Sequence, residues 1–290
     1  MEIPGTARLQ WPSPAGPQNL PELYIETIKR VVAGILRPQL YAPATIHASV
    51  TLSPEFRHLQ TFFDQHELEV AQKVNRNIED RIGGTEWIPD GETMIGMYRL
   101  DNVHECIRDV ISNKVPGDFI ETGVWRGGAT ILMRACLAAY GDTSRIVWNA
   151  DSFKGLPPPN PELYPADAGD MHHTYQQLNI SREEVEKNFE KYGLLDDQVK
   201  FLEGWFKDTL AVAPIERLSV LRLDGDMYES TMDALVPLYP KLSVGGYAII
   251  DDYLWCPPCK KAVEDYRLQN GITEPIIEID RGGVYWKRER

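Results

Sequence analysis

The chain has 290 residues, 43% hydrophobic and 10% aromatic, enough to bury a sizeable core and too apolar for a disordered chain. Lysine and arginine number 30 against 43 acidic residues, a net charge of −13 with no basic cluster, which argues against nucleic acid or anionic membrane as a partner. No segment approaches the ~20 apolar residues of a membrane span, and Met1-Glu2-Ile3-Pro4-Gly5 lacks the basic and apolar stretches of a signal peptide. A cytoplasmic protein acting on small molecules is expected.

Residues 1 to about 20, with Pro12, Pro14 and Pro17, predict an extended arm. Leu23, Ile28, Val31, Val32 and Ile35 have helical spacing, and Arg37-Pro38 should stop that helix. Residues 38–54 show no clear period, whereas Phe56, Leu59, Phe62, Phe63, Leu68, Val70, Val74 and Ile78 predict one or two amphipathic helices over 55–80. Residues 1–85 therefore form an N-terminal arm and helical extension, set apart from a catalytic domain at 86–290. The apolar stripe of this extension must be covered somewhere, so a homo-oligomer is expected.

From Asp118 onward strands and helices alternate, the pattern of a parallel α/β sheet. Phe119-Ile120-Glu121 reads as a strand, Thr130–Ala139 as a helix and Arg145–Ala150 as a strand. Residues 154–180 hold five prolines, two glycines and His172-His173, which predicts an irregular lid insertion. A helix at 181–192, strands at 198–203 and 218–223, a helix at 230–241, a strand at 245–250 and a helix at 257–269 follow. Strands 275–279 and 284–288, joined by Asp280-Arg281-Gly282-Gly283, should form a hairpin that ends the sheet with an antiparallel strand. The fold class is α/β, Rossmann-like. Cys106 and Cys136 fall in apolar runs, and Cys256-Pro257-Pro258-Cys259 lacks both a second ligand pair and a thioredoxin-like strand, so free thiols are expected.

The chemistry lies at strand ends. Asp224 closes the run Leu218–Leu223 and Asp251-Asp252 closes Gly246–Ile250. Adjacent strands lie roughly 4.8 Å apart, so these carboxylates should meet in the crevice where open α/β sheets bind ligands. Three acidic groups there call for a hard divalent cation such as Mg²⁺. After the first strand comes Glu121-Thr122-Gly123-Val124-Trp125-Arg126-Gly127-Gly128. A dinucleotide loop needs glycine where Trp125 stands, which opposes a nicotinamide oxidoreductase, whereas S-adenosylmethionine brings no phosphate to that turn. Asp151, at the tip of the neighbouring strand and followed by Ser152, can accept from both ribose hydroxyls. Gly204-Trp205, after strand 198–203, offers an aromatic face for adenine.

These residues resemble the metal-dependent sugar O-methyltransferases of macrolide biosynthesis, the macrocin and mycinamicin type, which have the class I methyltransferase fold. The resemblance is carried by Leu23–Glu26, Thr93–Met97, Arg99–Asn102, the loop Glu121–Gly128, Asp151–Pro157, Leu223–Thr231 and Gly245–Tyr253, and spans roughly residues 20–288. It implies that Glu121, Thr122, Gly123, Trp125, Asp151, Ser152, Gly204 and Trp205 hold S-adenosylmethionine and that the Thr93-Met94 segment closes over its methionine end. It also implies that Asp224, Asp251 and Asp252 hold Mg²⁺.

A sugar hydroxyl is a feeble nucleophile near neutrality, and a divalent ion can acidify a bound oxygen, lowering the pKa of water from about 15.7 to about 7 in the best case. Asp224 is the first candidate for the base that takes the proton and Asp226 the second. Related catechol methyltransferases carry lysine three residues after the first metal aspartate, where this chain has Met227, so a lysine base is not expected. His172 and His173 are further candidates if the lid folds over the site. The expected reaction is methylation of a deoxysugar hydroxyl on a natural product. The same chemistry on a polyketide or peptide hydroxyl, or a non-catalytic carbohydrate-binding module, are the alternatives.

Overall fold

A computed structural model of the chain describes residues 19–36, 39–43, 51, 53–75, 77–86, 88 and 90–290. The proline-rich arm expected up to about residue 20 lies outside the described residues as far as residue 18. Helix α1 (Leu20–Val32) ends earlier than expected, because Ala33 and Gly34 turn the chain and Gly34 adopts φ 63°. The Gly34 amide donates to Val31 O and that of Ile35 to Arg30 O, so the stop is a left-handed glycine turn rather than Pro38.

The expectation of helix throughout 55–80 needs correction. Helix α2 (Pro54–Gln65) is capped by Ser53, whose Oγ accepts from Phe56 N at 3.1 Å, and it ends at His66 and Glu67, the latter at φ 52°. Strand β2 (Ala71–Asn75) follows and pairs antiparallel with β1 (Gln39–Pro43). A short helix α3 (Ile78–Gly83) leads into the catalytic fold. Helix α4 (Met97–Ser112), which contains the apolar run around Cys106, buries Met97, Leu100, Val103, Ile107 and Val110 along one face.

Seven strands then form one sheet: β3 (Asp118–Thr122), β4 (Val147–Asp151), β5 (Val199–Glu203), β6 (Leu218–Leu223), β7 (Leu242–Ile250), β8 (Ile277–Glu278) and β9 (Val284–Lys287), in spatial order β5-β4-β3-β6-β7-β9-β8. All pairings are parallel except those of β9, which runs antiparallel to both β7 and β8. Helices α5 (Gly128–Tyr140) and α6 (Arg182–Lys191) share one core with α1, α4, Phe119, Val220 and Ile249. Helices α8 (Tyr228–Leu238) and α9 (Pro257–Gln269), preceded by the short α7 (Phe206–Thr209), pack on the other face with Ile120, Leu221 and Ile250. Residues adjacent in each strand thus point into opposite cores. All six residues of β6 are buried, as a strand covered on both faces requires. Residues 154–180 are irregular, with 3-10 turns at Pro165–Asp167, His172–Thr174 and Gln176–Leu178. Among the described residues no helix is long and apolar enough to cross a membrane.

Candidate active site

Strand register puts the singled-out residues at one edge. Thr122 pairs with Ala150 on one side and Leu223 on the other, and Leu223 pairs with Ile250. The next residues along, Gly123, Asp151, Asp224 and Asp251, therefore leave the sheet side by side. Backbone bonds extend the ladders past the strand ends, from Asp224 N to Thr122 O and from Asp251 N to Leu223 O, both 2.9 Å. Gly123 has φ 84°, and a Cβ there would fall onto the Asp224 carbonyl oxygen. The glycine lets two neighbouring strand ends touch.

A cleft of about 790 Å³, open to solvent, is lined by Met94, Gly123, Trp125, Asp151, Ser152, Trp205, Asp224 and Asp226, and by Leu156 and Pro157 from the irregular segment. Of the other residues singled out, Thr93, Glu121 and Thr122 are buried and lie outside the cleft lining, as does Gly204. Asp251 and Asp252 also lie outside it, yet oxygens of Asp224, Asp251 and Asp252 all fall within 4.8 Å of one another. Asp151 braces the glycine loop: its oxygens accept from Val124 N and Phe153 N, each at 2.8 Å. His172 Nδ1 meets Asp170 Oδ2 at 2.6 Å.

Two arginines organise the carboxylates. Arg222, fully buried on β6, donates to Glu121, to Asp251 Oδ1 and, at 3.0 Å, to Asp224 Oδ2. Arg99, on α4, donates to Asp251 Oδ2 and to Asp280, with Nε 2.9 Å from Asp280 Oδ2. Asp251 is thus held through both oxygens. Burial and the charge of Asp251 push Asp224 up to about 7, and burial raises Glu121 to about 8 despite Arg222. Asp252 is driven well above the carboxylate range by burial and by Asp226, Asp224 and Asp251.

A family model described as macrocin-O-methyltransferase (TylF) matches residues 21–288. The chain belongs to the macrocin O-methyltransferase family. Its relatives include demethyldecarbamoylnovobiocin O-methyltransferase of Streptomyces niveus, 56% identical over 216 residues, which are 73% of this chain and 81% of that enzyme. A second is 8-demethyl-8-(2,3-dimethoxy-alpha-L-rhamnosyl)-tetracenomycin-C 4'-O-methyltransferase of Streptomyces olivaceus, 53% identical over 210 residues, covering 72% of this chain and 80% of that one. The solved O-methyltransferase NovP superposes with a TM-score of 0.79 at 46% identity, covering 93% of this chain and 100% of its own.

The strand-end residues of this macrocin-family methyltransferase suit a hard cation. Among the described residues six carboxylates, those of Glu121, Asp224, Asp226, Asp251, Asp252 and Asp280, cluster around two arginines, Arg222 and Arg99. Asp224 Oδ2 takes Arg222 and Asp252 Oδ2 takes the Asp226 amide at 3.2 Å. Among the described residues neither Oδ1 atom accepts a hydrogen bond, which leaves an oxygen open on each side. Asp226, Asp252 and Cys256 also approach one another, but a thiol that donates to Asp226 Oδ1 at 3.5 Å suits a hard ion less well. All four cysteines are free, with Cys256 only half-buried.

The sequence reading missed both arginines as site residues. Arg222 had a signal, since a cation inside a continuous apolar strand must be paired. It also missed Arg81, fully buried on α3, which donates to Ala33 O at 2.7 Å, to Thr93 O and Met94 O at 3.0 Å, and to Ile95 O. Arg81 ties the Met94 wall of the cleft to the end of α1.

Proposed function

We propose that the chain is a cytoplasmic, Mg²⁺-dependent O-methyltransferase that uses S-adenosylmethionine to methylate a hydroxyl of a deoxysugar carried by a natural product. The observation that carries this reading is the pair of open oxygens, Asp224 Oδ1 and Asp252 Oδ1, beside a cleft walled by Met94, Asp151 and Trp205. The acceptor class is supported by the relatives, one of which is named for a rhamnosyl acceptor. Self-association is supported by Leu59 and Phe62, 51% and 49% exposed on α2, and by Leu68 at 50%.

Trp205 supplies a flat apolar wall for adenine, and Asp151, with both oxygens near the glycine loop, retains lone pairs for the ribose hydroxyls. Met94 borders the same space, held in place by Arg81 through its own carbonyl. Asp224 and Asp252 would hold the ion, and Asp251, expected as its third ligand, would join them only beside Arg222 and Arg99, which bond its two oxygens. Bound Mg²⁺ supplies Lewis acidity that makes an acceptor hydroxyl easier to deprotonate. Asp224 is the first candidate for the base, in addition to its place on the ion, because its side chain is 26% exposed and lines the cleft. Asp226 is second, since its Oδ1 already receives the Cys256 thiol.

The test is methyl transfer from labelled S-adenosylmethionine to demethyldecarbamoylnovobiocin and to the rhamnosyl tetracenomycin, in chelator and after Mg²⁺ is restored. Transfer to a sugar hydroxyl only with the metal is expected. Full activity in excess chelator would overturn the metal role, and transfer to a non-sugar hydroxyl alone would favour the polyketide or peptide alternative.

A further inference from the structure

The irregular segment at 154–180 borders the cleft through Gly155, Leu156, Pro157 and Leu178, yet it has almost no core of its own. Among the described residues between Lys154 and Asn179, Asp167 alone is buried, at 1% exposure. A buried carboxylate in such a segment needs strong partners. Asp167 Oδ1 accepts from the amide of Tyr228 at 2.6 Å and Oδ2 from that of Glu229 at 3.0 Å. These are the first two amides of α8, and the residue at its N-cap, Met227, offers no side-chain acceptor. A helix start that would ordinarily be capped by its own sequence is capped instead by a residue 61 positions earlier. The partial positive charge of the helix terminus adds to the attraction. Tyr164 reinforces the contact, its ring 6.1 Å from that of Tyr228.

The location gives this cap a consequence. Helix α8 begins directly after Asp224-Gly225-Asp226, and Asp226 adopts φ 55°, so this helix start sets where the acidic turn stands. We propose that Asp167 is a positioning residue for methyl transfer: by capping α8 from the insertion, it latches residues 154–180 over the acceptor side of the cleft and holds them in register with the Asp224–Asp226 turn. The latch deepens the methyltransferase reading and depends on it only for its kinetic consequence.

The test compares the full chain with Asp167→Ala and Asp167→Asn, the second keeping the side-chain size and one acceptor. Amide hydrogen exchange is followed in the presence of S-adenosylmethionine and Mg²⁺. In Asp167→Ala the amides of 154–180 should exchange at least tenfold faster, along with those of Tyr228 and Glu229, and Asp167→Asn should fall between. With demethyldecarbamoylnovobiocin as acceptor, the acceptor KM should rise at least fivefold while the affinity for S-adenosylmethionine changes less than twofold. Faster exchange confined to α8, with 154–180 and the acceptor KM unchanged, would reduce Asp167 to a helix cap and overturn the proposal. So would wild-type exchange of 154–180 in both variants. If the unaltered chain turned over no acceptor, the function reading would fail while the exchange data still decided the latch.

Discussion

Asp251→Ala and Asp252→Ala delete the same atoms at adjacent positions, and the structure predicts very different effects on stability. Asp251 is gripped by Arg222 on one oxygen and Arg99 on the other, both guanidiniums nearly inaccessible. Removing one partner of a buried ion pair costs about 3–5 kcal/mol, because it strands the other charge. Arg222 keeps Glu121 and Asp224, and Arg99 keeps Asp280, so the loss should lie near about 3 kcal/mol. For 290 residues that corresponds to a fall in Tm of roughly 5 °C. The Asp252 side chain instead is surrounded by Asp226, Asp224 and Asp251, and among the described residues it accepts a single hydrogen bond, from Asp226 N at 3.2 Å. Its removal relieves repulsion, so metal-free stability should change by less than about 1 kcal/mol, in either direction. Thermal unfolding in chelator and in Mg²⁺ measures both effects. At a metal concentration 100-fold above Kd, the unaltered chain should gain about 2.7 kcal/mol, and Asp252→Ala should gain almost none. Methyl transfer should be lost in both variants, with S-adenosylmethionine affinity retained in Asp252→Ala. Equal metal-free Tm values for the two variants would refute the arginine clamp.

Asp151→Ala should weaken S-adenosylmethionine binding at least tenfold by removing ribose acceptors and the braces on Val124 N and Phe153 N, without altering the Mg²⁺ requirement; calorimetric titration checks this. Arg81→Met leaves the carbonyls of Ala33, Thr93, Met94 and Ile95 without their shared donor, and should lower both the Tm and S-adenosylmethionine affinity. An unchanged affinity would detach the Met94 segment from donor binding. His104, hydrogen-bonded to Tyr140 between α4 and α5, is lowered to about 4 by burial, Lys29 and Arg108. The unfolded chain therefore takes up a proton below about 6.5 that the folded one refuses until about 4, so stability is complete above that window and is lost as pH falls through it, by up to about 1.4 kcal/mol per pH unit. His104→Gln should flatten the profile in urea titrations between pH 4 and 6.5, and an unaltered slope would refute the assignment.

The sheet domain was legible because its strands are short apolar runs ended by glycine or aspartate, and each such ending marks the binding edge. Leu218–Leu223 and Pro257–Gln269 fall where the pattern put them. The pairing of Gln39–Pro43 with Ala71–Asn75 was not legible, because residues 38–54 show no clear period and the apolar spacing from Phe56 to Ile78 read as one or two amphipathic helices. At the site, the carboxylate cluster could be inferred from strand ends alone. Its partners could not: Arg99 reaches Asp251 and Asp280 across 152 and 181 positions, and nothing local announces either contact. The placement of Glu121 under the cleft follows from the same cause, since its partner Arg222 lies on the neighbouring strand.

Gly123 stands against the Asp224 carbonyl with no room for a methyl group between them. The turn proposed to face the methyl donor and the residue proposed to face the cation are therefore mechanically one piece, and neither can drift without dragging the other. Redesign aimed at new acceptors can vary the cleft-facing Leu156, Pro157 and Leu178 as long as Asp167 keeps its hold on α8, whereas even a glycine-to-alanine change at position 123 would push the two strand ends apart.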